Sequence, residues 1–246
     1  MQEGPETSTE TGEDRPDVEI LILGAGFSGL GMAIRCLQSG RSSFLILERA
    51  HDLGGTWRDN AYPGCACDVP SRLYSFSFEL NPDWSRAYAG QEEIWRYLKD
   101  CVQRHHLEPY LRLGWTVARA RFDEFTGLWS VESTDGRRLR CRYLVASATP
   151  LGNPYRPPIP GLEDFEGPSF HTATWDHGVD LQGKTVAVVG TGASAVQCVP
   201  AIAPEVGRLI LFQRTLASQQ RLKFSVGHRS RIIARQEKNK RWRAST

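Results

Sequence analysis

Three glycines, Gly24, Gly26 and Gly29, constrain this chain more than any other feature. They follow an apolar run rich in β-formers, Val18 to Leu23. A helical pattern comes next, running to about Ser39, with Gly40 as its stop. Phe44 to Leu47 reads as a second buried strand and ends at Glu48. This is the βαβ order that cradles a dinucleotide. Gly24 permits the tight turn, Gly26 lets backbone approach the pyrophosphate, and Gly29 lets helix and strand pack closely. Phe27 and Ser28 stand at the helix start, where free N–H groups and the helix dipole favour phosphate. Glu48 follows Gly24 by 24 residues, placed to accept from ribose hydroxyls and to disfavour a 2′-phosphate. FAD or NAD fits such a site, and NADP does not.

The pattern recurs downstream. Thr185 to Val189 is a strand, Gly190-Thr191-Gly192-Ala193-Ser194-Ala195 is a GxGxxA turn, a helix follows, and Leu209 to Phe212 is another strand. Arg214 lies 24 residues after Gly190, at the spacing where the first motif has an acid. A guanidinium there pairs with the 2′-phosphate of NADP, with Thr215 and Gln213 as further hydrogen-bonding groups. The alternative for Arg214 is a solvated charge at a strand end. The contrast between Glu48 and Arg214 assigns FAD to the first site and NADPH to the second.

Between the two motifs, Trp115 to Ala120, Leu128 to Ser133 and Leu139 to Val145 read as strands, the last two joined across Asp135-Gly136. They suggest a small antiparallel meander, not another βαβ unit. A Pro-rich connector spans Thr149 to Gly161. The expected fold class is therefore α/β, with two Rossmann-type folds, a small β-meander and an incomplete second fold. The expected divisions are an acidic disordered leader over 1–16, an FAD-binding domain over 17–150, a linker with a partial NADPH-binding domain over 151–215, and a basic tail over 216–246. The leader has the character of neither a signal nor a transit peptide. Six scattered cysteines fit a reduced, cytoplasmic setting better than a disulfide framework.

The stretch Gly54-Gly55-Thr56-Trp57, Asn60, Tyr62-Pro63-Gly64 and Cys67-Asp68 resembles the flavin-binding stretch of Baeyer–Villiger-type flavoprotein monooxygenases. A second match, Phe165-x-Gly167-x-x-x-His171-Thr172-x-x-Trp175-Asp176, is similar to the fingerprint of that group. Thr172 and Trp175 favour the Baeyer–Villiger side over the related flavin-containing monooxygenases. The resemblance runs from about Val18 to Thr215. It implies FAD and NADPH as cofactors, and insertion of one oxygen from O2 into a ketone, or oxidation of sulfur or nitrogen, through a C4a-peroxyflavin. It implies that Gly55, Thr56 and Trp57 line the flavin, with Tyr74 and Val117 as looser contacts for which a core role is the alternative. Asp68 matches a carboxylate near the flavin and nicotinamide, expected to act electrostatically; a turn carboxylate is its other reading. His171 reads as a hinge residue that couples NADPH docking to domain movement, or as a satisfied structural histidine. Phe165 and Gly167 belong to the same fingerprint. Cys65-Ala66-Cys67 has no second pair, so no metal site is expected.

Two departures stand out. Ala66 occupies a position where the family often has Arg. After Thr215 the resemblance stops, and from Ala217 on there are nine Lys/Arg and one acid, against a net charge of −6 for the rest. A truncated product is expected there, and a basic arm for nucleic acid or anionic membrane is the minor alternative. A small organic substrate and O2 are the expected partners, with no nucleic acid and no transmembrane segment. The competing functions are a non-catalytic fragment that binds FAD or a partner chain, and an NADPH–flavin reductase without oxygenation.

Overall fold

The computed structural model describes residues 15–148, 152–213 and the backbone of 232–236. The chain divides into two compact units, one of 1–58 with 95–152 and the other of 59–94 with 153–246. These units do not follow chain order. The segment from Asp59 to Ile94 groups with the second glycine motif, whereas the sequence reading places the boundary between the two folds at the Pro-rich connector.

The first unit is built on a six-stranded sheet of order β3-β2-β1-β6-β5-β4. Its strands are β1 (Val18–Leu23), β2 (Phe44–Leu47), β3 (Leu111–Arg112), β4 (Val117–Asp123), β5 (Leu128–Ser133) and β6 (Arg138–Ala146). Ile20, Leu21 and Ile22 are all buried, as expected of a central parallel strand covered on both faces. Helix α1 (Phe27–Gln38) packs on β1 and β2 through Leu30, Ala33 and Ile34, apolar residues at helical spacing. Gly40 follows with φ of +75°, ending the helix where the glycine predicts.

The meander is antiparallel, as its alternating pattern indicates: β5 pairs with both β4 and β6. It is not a separate body, however. β6 also runs parallel to β1, with Leu21 opposite Leu144, so the hairpin strands extend the dinucleotide sheet. A buried cluster of Leu21, Leu47, Trp115, Val131 and Cys141 joins the parallel half to the antiparallel half. Local periodicity reports a strand's burial but not its neighbour, so this junction was invisible in the sequence.

The second unit holds a parallel sheet of order β7-β8-β9, from β7 (Thr185–Val189), β8 (Arg208–Gln213) and β9 (Ile232–Gln236). The sequence shows two strands here and reads everything past 216 as a tail without core periodicity. The third strand corrects that reading, since Ile232 to Gln236 pairs with Leu209 to Gln213 in register. Helix α4 (Ala193–Ile202), which follows α2 (Thr56–Asp59) and α3 (Gln91–Arg104) in the chain, connects β7 to β8 and buries Ala195, Cys198, Val199 and Ile202. Among the described residues no helix is long and apolar enough to cross a membrane.

All six cysteines are buried, and none is in a disulfide. Burial pushes the thiols of Cys141 and Cys198 up to about 11. An unfolded chain gives up these protons nearer 9, so over the window from 9 to 11 the folded state holds more protons than the unfolded one. Stability must then fall as pH rises through that window. The urea midpoint is expected to drop between pH 9 and 11, and to drop less in Cys141→Ala; equal slopes would contradict this. Leu21→Ala is expected to cost about 2–5 kcal/mol, while Phe125→Ala, at 98% exposure, should change stability by less than about 0.5 kcal/mol.

Candidate functional site

The first glycine turn is held from both sides. Gly24, with φ of +102°, donates its N–H to the Leu47 carbonyl at 2.8 Å, tying the end of β1 to the end of β2. A Cβ on Gly29 would lie 1.8 Å from the Gly24 carbonyl oxygen, so α1 approaches the turn with no room for a methyl group. Gly26 is the N-cap, no side chain caps the helix, and its first turn contains no acid. The helix start therefore has neither a side-chain cap nor an acid of its own first turn, which suits a phosphate.

Glu48 is 5% exposed and organises this turn. One carboxylate oxygen accepts from the Ala25 N–H at 2.9 Å. The other accepts from the Ala50 N–H at 3.0 Å and from the Arg58 guanidinium at 3.2 Å. A carboxylate has about four acceptor positions, and these three donors occupy three of them. Arg58 was missed by the sequence reading. It lies ten residues past Glu48, and only the return of the chain brings the two together.

The Gly54-Gly55 turn closes on the same place. The Gly54 N–H donates to the Ala25 carbonyl at 2.8 Å, and a Cβ on Gly55 would sit 3.3 Å from the Gly26 Cα. Trp95 supports it by donating its indole N–H to the Leu53 carbonyl at 2.9 Å. The Lys99 ammonium stands 3.5 Å over the Trp95 ring and 3.2 Å from Asp52. Thr56 and the buried Trp57 begin the short helix α2 (Thr56–Asp59). Phe27 lies against the Tyr97 ring at 5.9 Å, while Ser28 is exposed. Val117 packs against the cluster around Leu21, the core role left open for it.

In the second unit the Gly190 N–H donates to the Phe212 carbonyl at 2.8 Å, repeating the tie seen at Gly24. Gly192 is the N-cap of α4, again with no side-chain cap and no acid in the first turn. The Gln213 amide donates to the Thr191 hydroxyl at 3.3 Å. Ala193 and Ser194 open the helix, and Ala195 takes the third glycine's place as a buried residue. Arg214 and Thr215 lie outside the described residues. Asp68 is exposed, and Tyr74 is half-buried after a 3-10 turn over Ser71–Leu73.

The fingerprint segment is a local scaffold. The Phe165 ring covers Gly167, where a Cβ would meet it at 2.7 Å. His171 Nδ1 accepts from the Ala173 N–H at 3.0 Å and caps a 3-10 turn over Thr172–Thr174. That bond requires a lone pair on Nδ1. Trp175 meets Phe170 edge-on at 5.1 Å. Burial raises the Cys65 and Cys67 thiols, and among the described residues no group of three His, Cys, Asp or Glu could hold a metal ion.

Glu48→Ala is expected to cost about 2–3 kcal/mol, because it breaks the ion pair with Arg58 and removes the acceptor of Ala25 N–H. Chemical denaturation checks this, and a loss under 1 kcal/mol, a magnitude typical of exposed pairs, would contradict it.

Residues 22–99 match the model of an NAD(P)-binding Rossmann-like domain. The chain is 50% identical over 200 residues to a Baeyer-Villiger monooxygenase of Streptomyces coelicolor, a match over 81% of this chain and 38% of that protein. It is 48% identical over 197 residues to one of Pseudomonas aeruginosa, covering 80% and 37% respectively. Among solved structures, cyclohexanone monooxygenase from Rhodococcus sp. Phi1, a mutant form bound to NADP+, matches with TM-score 0.76 and 37% identity over 80% of this chain and 39% of that one. OTEMO in complex with FAD and NADP matches with TM-score 0.75 and 34% identity, over 82% and 39%. The chain thus spans about two-fifths of the length of these relatives. Over that shared part the chain is similar, in sequence and in fold, to Baeyer–Villiger monooxygenases.

Proposed function

We propose that this chain binds FAD at Gly24–Gly29 and Glu48 and NADPH at Gly190–Ala195, Arg214 and Thr215. Its proposed activity is that of a monooxygenase, inserting one oxygen from O2 into a ketone or oxidising a sulfur or nitrogen centre. The observation that carries this is the paired set of glycine turns. Each opens a helix with no side-chain cap and no first-turn acid, and the residue 24 positions after its first glycine is acidic in one and basic in the other. The solved relatives bound to FAD and NADP support the same pairing.

When bound, the flavin supplies the redox chemistry, taking a hydride from the nicotinamide and reacting with O2. The chain's own residues bind and orient. The N-termini of α1 and α4 take the pyrophosphates, and the remaining acceptor position of Glu48 takes a ribose hydroxyl. Thr56 and Trp57 line the flavin. Asp68 holds a cationic partner and sets the protonation state at the reacting centre. The His171 segment serves as a hinge between the nucleotide-binding parts. A cytoplasmic setting accords with six cysteines outside any disulfide, and the acidic balance of residues before the tail favours a small-molecule substrate over nucleic acid.

The purified chain is expected to be yellow and to consume NADPH faster when a ketone or sulfide is added. Asp68→Ala should retain flavin and lose about 100-fold or more of the substrate-dependent rate. A colourless chain that takes up no added FAD overturns this reading. NADPH oxidation that yields only peroxide replaces it with a reductase.

A further inference from the structure

Gln197 lies on α4, one turn past the second glycine motif, and its amide is engaged with a loop 131 residues earlier in the chain. Its Nε2 donates to the Ala66 carbonyl at 2.8 Å. Its Oε1 accepts from the Ala66 N–H at 3.3 Å and from the Tyr62 hydroxyl at 2.8 Å. A primary amide thus pairs with both backbone groups of Ala66, as a neighbouring strand would. The contact is close as well as polar: a Cβ on Gly64, whose φ is +79°, would lie 2.6 Å from the Gln197 carbonyl oxygen and 3.0 Å from the Ala201 Cβ. Burial pushes the Tyr62 phenol up to about 12, so it remains a donor at neutral pH.

The loop continues straight to the carboxylate of Asp68. Its other side is also pinned, by the Cys67 N–H donating to the Ala89 carbonyl at 2.9 Å and the Gln91 N–H to the Cys65 carbonyl at 3.0 Å. One helix therefore presents its N-terminus to a nucleotide and grips, through one side chain, the loop that bears Asp68. We propose that Gln197 is a positioning residue that transmits occupancy of the Gly190–Ala195 turn to the Asp68 loop. This rests on the NADPH reading of the second motif. A nucleotide that orders the first turn of α4 orders Gln197 one turn later, and with it Ala66 and Asp68.

Hydrogen–deuterium exchange on the full chain, with and without NADP+, tests this. In the wild type, NADP+ is expected to slow exchange both at 190–200 and at 62–68. In Gln197→Leu the first protection should persist and the second should fall at least threefold. Gln197→Glu keeps both acceptor bonds but sets an oxygen against the Ala66 carbonyl, so it should behave likewise if the leucine variant fails to fold. Tyr62→Phe keeps the paired bonds to Ala66 and should retain coupling. NADP+ protection of neither segment in the wild type would sink the NADPH reading itself. Protection of 190–200 alone in the wild type, or of both segments in the Gln197 variants, would sink the coupling and leave that reading intact.

Discussion

The contact between Gly29 and the Gly24 carbonyl sets the geometry of the first unit. A Cβ at position 29 would stand 1.8 Å from that oxygen, so the helix docks on the turn closer than any side chain allows. That approach aims the N-terminus of α1 along the end of β1. The Glu48 carboxylate is then within reach of the Ala25 N–H, and the Gly54-Gly55 turn can close on Gly26. Each later element takes its place from this one tight crossing.

Polar side chains then do for the loops what ladders do for the strands. Glu48 ties the first glycine turn to Arg58, Gln197 ties the loop before Asp68 to α4, and His171 caps its own 3-10 turn. Irregular backbone carries donors and acceptors that need partners once water is excluded. In each case a buried or half-buried side chain supplies them at 2.8–3.3 Å. The two nucleotide turns differ in this respect from the loops around them, because their helix N-termini receive no side-chain cap. Uncapped helix N-termini of this kind suit the phosphate contacts proposed for them.

Much of this was legible in the residues. β1, β2, α1, β5, β7 and the hairpin at Asp135-Gly136 fall close to where periodicity and turn chemistry put them. The glycine motifs, Glu48 and the fingerprint around His171 are linear patterns, readable because their chemistry depends on spacing along one segment. The place of β6 beside β1, the two-residue strand β3 and the third strand β9 were not legible. Strand pairing is a long-range choice, and two residues are too few to carry a period. Arg58 and Gln197 were missed for a related reason: a charged residue on a short helix and an amide on an amphipathic one look solvated until the chain returns to meet them.

By itself, then, the sequence determined that this chain carries two strand–glycine turn–helix units of opposite charge preference, since glycine's missing side chain and the sign of one charge are local properties. Only the tertiary structure decided that the meander extends the first sheet. Only it decided that Asp59 to Ile94 packs with the second unit, and that one amide on α4 holds the loop leading to Asp68. Those outcomes rest on burial and hydrogen bonding between residues more than a hundred positions apart, and no pattern within a single segment records them.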